Sequence, residues 1–349
     1  MTRWRIGWGV VGLVLLTARP LLGLLPVLGC GGSGVTASSA TGGGAALPAP
    51  VDESFAPVLP DFDAAATTFE GFEVLSFVPA APRGIVFVFH GAGGSARFVE
   101  KVETVAVLNE LVARGYGFVA TESPERDGER RWDVETGLPA VNSDLARLLR
   151  LHASLAQDRQ IEASTPVFAM GMSNGGAFAS IFAAAARDAG LPVRAIALYS
   201  APVAGPVRVD GPLEIPTFFV VAENDEAALV DRVRHQFDAL ARDGLPVELH
   251  EATMQPLDPR RFTRIPGVDE KRSRALFDEL VAEGWADGLG LSRLSAEEAT
   301  ARLAAERFLP DEDEATRRQV RDQLAVVWAL HAMRGDHGVG QGAFFDANL

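Results

Sequence analysis

The sequence has very little cysteine, since Cys30 is the only one among its 349 residues. No disulfide can therefore form within the chain. None of the six histidines stands with a cysteine at the spacing of a metal-ligand cluster. We therefore expect no metal ion and no organic cofactor.

Positive charge is also scarce in this sequence. There are 32 Lys and Arg residues against 46 Asp and Glu, a formal net charge of -14 at pH 7. Negative charge repels a phosphate backbone, and the sequence shows no basic cluster that would offset this repulsion locally. Nucleic acid is therefore not expected as a partner. Hydrophobic residues make up 48% of the chain, enough for one large domain or two modest ones.

The first 30 residues have the layout of an export signal. Arg3 and Arg5 precede a long apolar run, and small residues follow before Cys30. Arg19 and Pro20 interrupt the run, which disfavours a stable spanning helix, although an uncleaved membrane anchor remains the alternative. We predict a signal peptide over residues 1–30.

Cys30 ends the segment "VLGC", which resembles a bacterial lipobox. The resemblance implies that Cys30 becomes the lipid-modified first residue of the mature protein and tethers it to a membrane. The alternative is an incidental thiol. Residues 31–66 are mostly rich in Gly, Ser, Ala and Pro without helical or strand periodicity, which predicts a flexible tether. The expected location is the cell envelope, facing the periplasm or the exterior.

From residue 67 onward, short apolar strands alternate with helical segments. Strands are predicted at "FEVLSFV", "GIVFVFH", "YGFVATES", "TPVFAMG", "VRAIALYS", "IPTFFVVAE" and "PVELHEA", and helices at 97–113, 141–157, 175–189 and 226–243. This alternation predicts an α/β domain over residues 67–349 with a mostly parallel sheet covered on both faces. Residues 254–330 carry only helical patterns, which predicts a helical insertion after the last strand or a separate small domain.

The candidate nucleophile is Ser173, in the pentapeptide Gly171-Met172-Ser173-Asn174-Gly175 between a predicted strand and a predicted helix. Two glycines let the backbones approach closely in a tight turn that exposes the serine hydroxyl. The following helix directs its free N–H groups toward negative charge beside the serine. The alternative is a small residue that merely fits the turn.

A glycine-rich loop, "HGAGGS" at residues 90–95, follows an earlier strand and could present backbone N–H groups to an oxyanion. It lacks the "GK[ST]" ending of a phosphate-binding loop. "HGAGGS" and "GMSNGG" together resemble the oxyanion loop and nucleophile elbow of the α/β-hydrolase family, especially secreted esterases related to polyester depolymerases and feruloyl esterases. The resemblance implies that Ser173 attacks and that the N–H groups of Ala92 and Asn174 bind the oxyanion. His90 then belongs to the architecture of the loop.

In that family the catalytic acid follows the nucleophile by two strands. Asp225 stands just after the predicted strand 216–222, and Glu223 is the reserve candidate. The order and spacing favour Asp225 as the acid that orients a histidine. The alternative role of Asp225 is to cap the helix that begins near Glu226.

The candidate base is a histidine beyond the insertion. His250 falls inside a predicted strand and His235 in the middle of a charged helix, which leaves His331 and His337. By resemblance, the base precedes a paired aromatic by about fourteen residues, and Phe344 and Phe345 stand at that distance from His331. We predict His331, at the end of a helix. His337, in a glycine-rich segment, remains open.

Trp132 and Asp133 follow another predicted strand at the edge where such sheets bind ligands. They either line a substrate pocket or belong to a solvated loop with one packing tryptophan. The combined prediction is a serine carboxylic ester hydrolase acting through an acyl-enzyme on a small or polymeric ester. The alternatives are a non-catalytic envelope protein on a hydrolase scaffold and a peptidase or lipase with the same triad.

Overall fold

The computed structural model describes residues 55–158, 160–209, 214–305, 308–309 and 312–349. The predicted signal peptide, Cys30 and the tether up to residue 54 lie outside the described residues. Among those described, no helix is both long and apolar enough to cross a lipid bilayer.

Ten strands and nine α-helices are described. The strands are β1 Ala65–Phe69, β2 Phe72–Phe77, β3 Gly84–Phe89, β4 Tyr116–Thr121, β5 Glu125–Arg126, β6 Glu129–Arg130, β7 Val167–Met172, β8 Val193–Tyr199, β9 Thr217–Ala222 and β10 Val247–Ala252. The helices are α1 Val102–Ala113, α2 Ser143–Gln157, α3 Asn174–Asp188, α4 Gly205–Val209, α5 Ala227–Arg242, α6 Glu270–Ala282, α7 Ala296–Ala304, α8 Glu314–Val327 and α9 Gly338–Ala347. Each of the seven predicted strands corresponds to one of these.

Eight strands form one sheet in the order β1-β2-β4-β3-β7-β8-β9-β10. The pairs β1–β2 and β2–β4 are antiparallel, and every other neighbouring pair is parallel. The mostly parallel sheet predicted from the alternation of strands and helices is therefore confirmed. Because parallel strands place their C-terminal ends at one edge, the loops after β3, β7, β9 and β10 lie at a common edge of the sheet.

Helices cover both faces of this sheet. Apolar residues of α2, α3 and α5 pack on one face, and those of α1 and α9 pack on the other. Strands β3, β4 and β9 are buried along their whole length, which explains why their sequences are almost continuously apolar. Phe345 of α9 stacks on Phe168 at a ring-centroid distance of 4.6 Å, and Phe344 lies 5.7 Å from Phe218. The paired aromatic therefore packs the last helix on the sheet.

The described part of residues 254–330 is helical and has an apolar core of its own. Phe262, Leu276, Leu303 and Leu324 belong to this core, which also includes Val102 of α1. An isolated bridge between residues 286 and 292 is the only β pairing among the described residues of this segment. The segment thus packs on α1.

Several described residues that precede position 67, where the predicted domain starts, also pack on the domain. Phe62 packs edge-on against Phe118 with ring centroids 4.9 Å apart, and the N–H of Val58 donates to the carbonyl of Arg264 at 2.9 Å. The side chain of Asn109 bonds the backbone of both Leu59 and Asp61. The sequence did not predict this packing. The residues before position 67 show no helical or strand periodicity, because each of them contacts a different distant part of the chain.

Candidate active site

Ser173 occupies a strained backbone conformation between β7 and α3. Its φ of 57° and ψ of -124° lie in a region that residues with a side chain rarely adopt. The turn holds this conformation because the Ser173 N–H donates to the Tyr199 carbonyl at 2.9 Å and the Ser173 carbonyl accepts from the Ala177 N–H at 3.0 Å. Such strain costs of order 1–3 kcal/mol and is typical of functional sites. The predicted tight turn is present.

Two glycines of the pentapeptide are required by close backbone contacts. A Cβ on Gly175 would overlap the carbonyl oxygens of Phe89 and His90, and one on Gly171 would overlap the carbonyl oxygen of Gly175. No side chain fits at either position. The turn that holds Ser173 is therefore packed directly on the end of β3, where the glycine-rich loop begins.

The glycine-rich loop passes beside Ser173, since a Cβ on Gly91 would lie 3.5 Å from the Ser173 Cβ. Within the described residues, the backbone N–H groups of Ala92 and Asn174 donate no hydrogen bond to a protein atom. Those of Gly93 and Gly94, by contrast, donate to the carbonyls of Arg130 and Gly91. The two N–H groups predicted for the oxyanion hole are thus unused by the protein itself.

His90 is a structural part of this loop. Its Nδ1–H donates to the Gly91 carbonyl at 2.6 Å, and its Nε2 accepts the Ser123 N–H at 3.0 Å. Burial lowers the pKa of His90 to about 4, with a smaller opposing effect from the Gly91 carbonyl. Both ring nitrogens are occupied, so the ring has none to offer a substrate.

Asp225 and His331 form a hydrogen-bonded pair at the same edge of the sheet. The Nδ1 of His331 lies 2.8 Å from Oδ1 of Asp225, whose side chain is only 2% exposed. Burial alone would raise the pKa of Asp225, but the hydrogen bond and charge of His331 outweigh burial and hold it below its ordinary value. The carboxylate is therefore ionised, and Nδ1 of the ring carries the proton that it accepts.

The loop that carries His331 is fixed by hydrogen bonds to its backbone. The Asn224 N–H donates to the Ala329 carbonyl at 3.1 Å, and the Asn224 side chain donates to the Trp328 carbonyl at 2.9 Å. Helix α8 ends at Val327 and Ala329 has a φ of 50°, so the prediction that His331 ends a helix is wrong. The left-handed turn at Ala329 stops the helix before the histidine.

The residues that the sequence offered as alternatives for the acid and the base contact other partners. The ring of His337 lies 5.3 Å from that of His250, and burial lowers the pKa of His337 to about 4. Glu223 accepts the Met254 N–H at 2.7 Å. Asp225 also accepts the Glu226 N–H at 3.0 Å, so it contacts the start of α5 in addition to His331. His331 is thus the histidine that the structure pairs with the predicted acid.

No hydrogen bond joins Ser173 and His331 among the described contacts. Two cavities nevertheless lie next to these residues, and both are lined by Met172. A cavity of about 120 Å³ is lined by His331 and Met172, the neighbour of Ser173. A larger cavity of about 710 Å³ is lined by Ala92 and by the same Met172. Catalytic hydrogen bonds often tighten only once substrate is bound. Met172, which precedes the strained serine, therefore lines both the cavity beside the glycine-rich loop and the cavity beside His331.

Trp132 is a buried packing residue. It is 1% exposed, its ring stacks on Phe178 at 4.7 Å, and its indole N–H donates to the His90 carbonyl at 3.0 Å. The Asn174 side chain accepts the Trp132 N–H at 2.7 Å and donates to the Trp132 carbonyl at 3.2 Å. The N–H of Asp133 donates to Asp144. Asn174 therefore also anchors the segment behind the serine, a role that the sequence did not reveal.

Glu103 is a second residue that sequence reasoning missed. Its buried carboxylate accepts from the Gln323 side chain at 2.8 Å and from the Gly335 N–H at 2.7 Å. Arg261 and Arg264 approach it at 3.3 Å. Although burial would raise the pKa of Glu103, the two guanidinium groups keep it below its ordinary value. Glu103 thus connects α1 to the insertion and to the segment that follows His331.

No protein-family model and no curated protein matches this chain. Among solved structures, a bacterial heroin esterase is 21% identical, with the match covering 57% of this chain and 76% of that one at a TM-score of 0.40. EstE1, a carboxylesterase cloned from a metagenomic library, is 15% identical, and the match covers 55% of this chain and 78% of that one at a TM-score of 0.40. An esterase of the fungus Rhizomucor miehei is 14% identical, and the match covers 64% of this chain and 83% of that one at a TM-score of 0.40. These identities are too low to transfer an activity.

The described residues contain no group of three or more His, Cys, Asp or Glu side chains arranged to hold a metal ion. The features that define the architecture are the eight-stranded order with its two antiparallel pairs and the serine turn between β7 and α3. Asp225, after β9, lies 2.8 Å from His331, after α8, at the same edge of the sheet. The chain has the α/β-hydrolase fold.

Proposed function

We propose that this protein is a serine carboxylic ester hydrolase with Ser173 as nucleophile, His331 as general base and acid, and Asp225 as the residue that orients the ring. The observation that carries the proposal is the 2.8 Å contact between Asp225 and His331, at the sheet edge where the strained Ser173 also lies. Because Nδ1 of His331 faces the carboxylate, Nε2 of the neutral ring is the nitrogen available to take a proton from serine.

In the proposed reaction, the Ser173 oxygen attacks the ester carbonyl carbon while its proton passes to Nε2 of His331. The N–H groups of Ala92 and Asn174, which bind no protein acceptor among the described residues, stabilise the oxyanion. The alkoxide leaves with the proton from the imidazolium, and an acyl-enzyme remains. Water then attacks the acyl carbonyl carbon and gives a proton to Nε2 of His331, and the imidazolium returns this proton to the Ser173 oxygen as the carboxylic acid is released.

The first test is covalent labelling of Ser173 by a fluorophosphonate probe, followed by mapping of the adduct. We expect a single adduct on Ser173, no adduct on Ser173→Ala, and turnover of 4-nitrophenyl esters. Lack of labelling in a folded protein would support the non-catalytic alternative. Faster cleavage of amide substrates than of esters would favour a peptidase, and preference for long acyl chains would favour a lipase.

The second test concerns the histidine. His331→Ala should lower kcat by at least about 10³-fold, because both proton transfers depend on this ring. His337→Ala is the matched control, since this ring contacts His250 and not Asp225. Circular dichroism must show both variants folded. Loss of turnover only in His337→Ala would contradict the assignment.

Attachment to a membrane through Cys30 is a separate proposal, supported by the sequence "VLGC" alone. Cells that express the full chain should incorporate an alkyne-bearing fatty acid into the protein and retain it in the membrane fraction. Cys30→Ala should abolish both. Equal incorporation in the two chains would contradict lipidation at Cys30.

A further inference from the structure

The larger cavity beside the oxyanion loop has an unusual set of charged residues. One wall is formed by residues 91–95 and Met172, and another by one face of helix α8. Five cationic side chains line it against two carboxylates, Glu100 and Asp322. The cationic residues are Arg97, Lys101, Arg130, Arg318 and Arg321. The chain as a whole has a net charge of -14, so the sign of the charge is reversed at this cavity.

Two of the five cations are neutralised by close carboxylates. Arg97 lies 2.7 Å from Glu73 and 2.8 Å from Glu100, and Lys101 lies 3.0 Å from Asp322. These contacts account for both acidic residues of the lining. The excess of positive charge therefore comes from the other three arginines.

The other three arginines lie farther from the carboxylates that could neutralise their charge. Arg318 and Arg321 each lie 3.9 Å from one carboxylate oxygen of Glu314, and the other oxygen of Glu314 lies 2.8 Å from Arg317. Arg130, the last residue of β6, lies 3.4 Å from Glu122. One glutamate cannot neutralise three guanidinium groups, so α8 presents net positive charge to the cavity. Guanidinium groups are well suited to bind carboxylates.

We propose that the cavity selects esters whose acyl part carries a carboxylate group remote from the scissile bond. This inference rests on the proposed function, because the cavity borders Ala92 and Met172 at the candidate site. The scissile carbonyl would lie at the oxyanion loop, and the remote carboxylate would lie between Arg130 and Arg318. The smaller cavity lined by His331 shares Met172 with this cavity, so the ring would lie near the scissile bond.

The test compares two activated esters of similar length, mono-4-nitrophenyl adipate and 4-nitrophenyl heptanoate. We expect kcat/KM to be about fivefold or more higher for the adipate, because two exposed arginines each contribute up to about fivefold. Raising the ionic strength from about 0.05 to about 0.5 M should reduce this ratio, since exposed charges are screened. Equal kcat/KM values at low salt would overturn the proposal.

The variants Arg130→Gln and Arg318→Gln, singly and together, identify the charges responsible. Each should lower the adipate-to-heptanoate ratio by about twofold to fivefold, mainly through KM for the adipate. Both side chains are well exposed, 47% for Arg130 and 67% for Arg318, so the fold should tolerate the changes. Arg232→Gln, exposed on α5 outside the cavity, is the control with the same change in net charge and should leave the ratio unchanged. An unchanged ratio in the double variant would contradict the proposal.

Binding to the Ser173→Ala protein separates this proposal from the proposed function. If neither ester is hydrolysed by the wild-type protein, the proposed function fails. Calorimetry with the two esters then still reports the charge preference. Tighter binding of the adipate ester, lost in the Arg130→Gln and Arg318→Gln background, supports it. Equal affinities for the two esters contradict it.

Discussion

At the scale of the residue, the pairing of Asp225 with His331 is the contact on which the proposed chemistry rests. The side chain of Asp225 is 2% exposed, whereas that of His331 is 41% exposed. Asp225, the proposed acid, is thus shielded from water, and His331, the proposed base, is accessible from the solvent. This division suits a carboxylate that only orients and a ring that moves protons.

Replacing Asp225 by asparagine tests that division. The amide of the new side chain would be able to donate an N–H to Nδ1 of His331 and so hold the ring in the wrong tautomer, with its proton on Nε2. We expect Asp225→Asn to lower kcat on the order of 10³- to 10⁴-fold with a smaller effect on KM. Glu223→Gln is the control, because Glu223 bonds the Met254 backbone. A similar loss of kcat in Glu223→Gln would mean that the acid is misassigned.

At the scale of the element, the turn between β7 and α3 depends on backbone contact with the end of β3. Gly175→Ala would place a methyl group in overlap with two carbonyl oxygens that cannot move without disrupting the strand. We expect destabilisation by at least about 1–3 kcal/mol, measured by urea unfolding. Gly205→Ala is the control, because nothing lies within 4 Å of its Cβ position and its φ is not positive. Equal stability of the two variants would contradict the packing described.

Glu103 makes the corresponding connection between helices. Glu103→Gln removes the charge that Arg261 and Arg264 face in a buried site. We expect a loss of about 3–5 kcal/mol in the free energy of unfolding, since two buried guanidinium groups lose their carboxylate. Glu297→Gln, exposed in the first turn of α7, should change stability by less than about 1 kcal/mol. A small effect at Glu103 would show that water replaces the carboxylate.

At the scale of the whole molecule, buried histidines make stability depend on pH. Burial lowers the pKa of His90 and His337 to about 4 and also lowers that of His152. The unfolded chain, with histidine pKa values of about 6.5, binds these protons first, so protonation favours unfolding. Stability should therefore fall as the pH decreases from about 6.5 to 4, by up to about 1.4 kcal/mol per pH unit for each histidine.

Urea unfolding at several pH values between 7 and 4 measures this dependence. His152→Leu, which removes one buried titrating ring beside Phe87, should flatten the dependence by up to one proton. His235→Leu on α5 is the control, because this side chain is exposed. An unchanged slope in His152→Leu would show that its ring is solvated in the folded protein.

The sequence was informative wherever the signal is local. Strands, helices and the Ser173 turn follow from apolar periodicity and from glycine spacing. The candidates for acid and base follow from the resemblance to the α/β-hydrolase family together with their order and spacing along the chain. Contacts between distant segments leave no such signal. Glu103 meets residues more than 150 positions away, and the cationic cavity gathers Arg130 with Arg318 although no basic cluster stands in the sequence. Trp132 was ambiguous because one tryptophan suits a pocket and a core equally well.

The 106 positions that separate Asp225 from His331 also have a consequence for synthesis. A ribosome that has translated residue 330 has already made Ala92, Ser173, Asn174 and Asp225, but not His331. The whole helical insertion must emerge before His331 does. Under the proposed mechanism, a nascent chain therefore carries Ser173 without its base until late in translation.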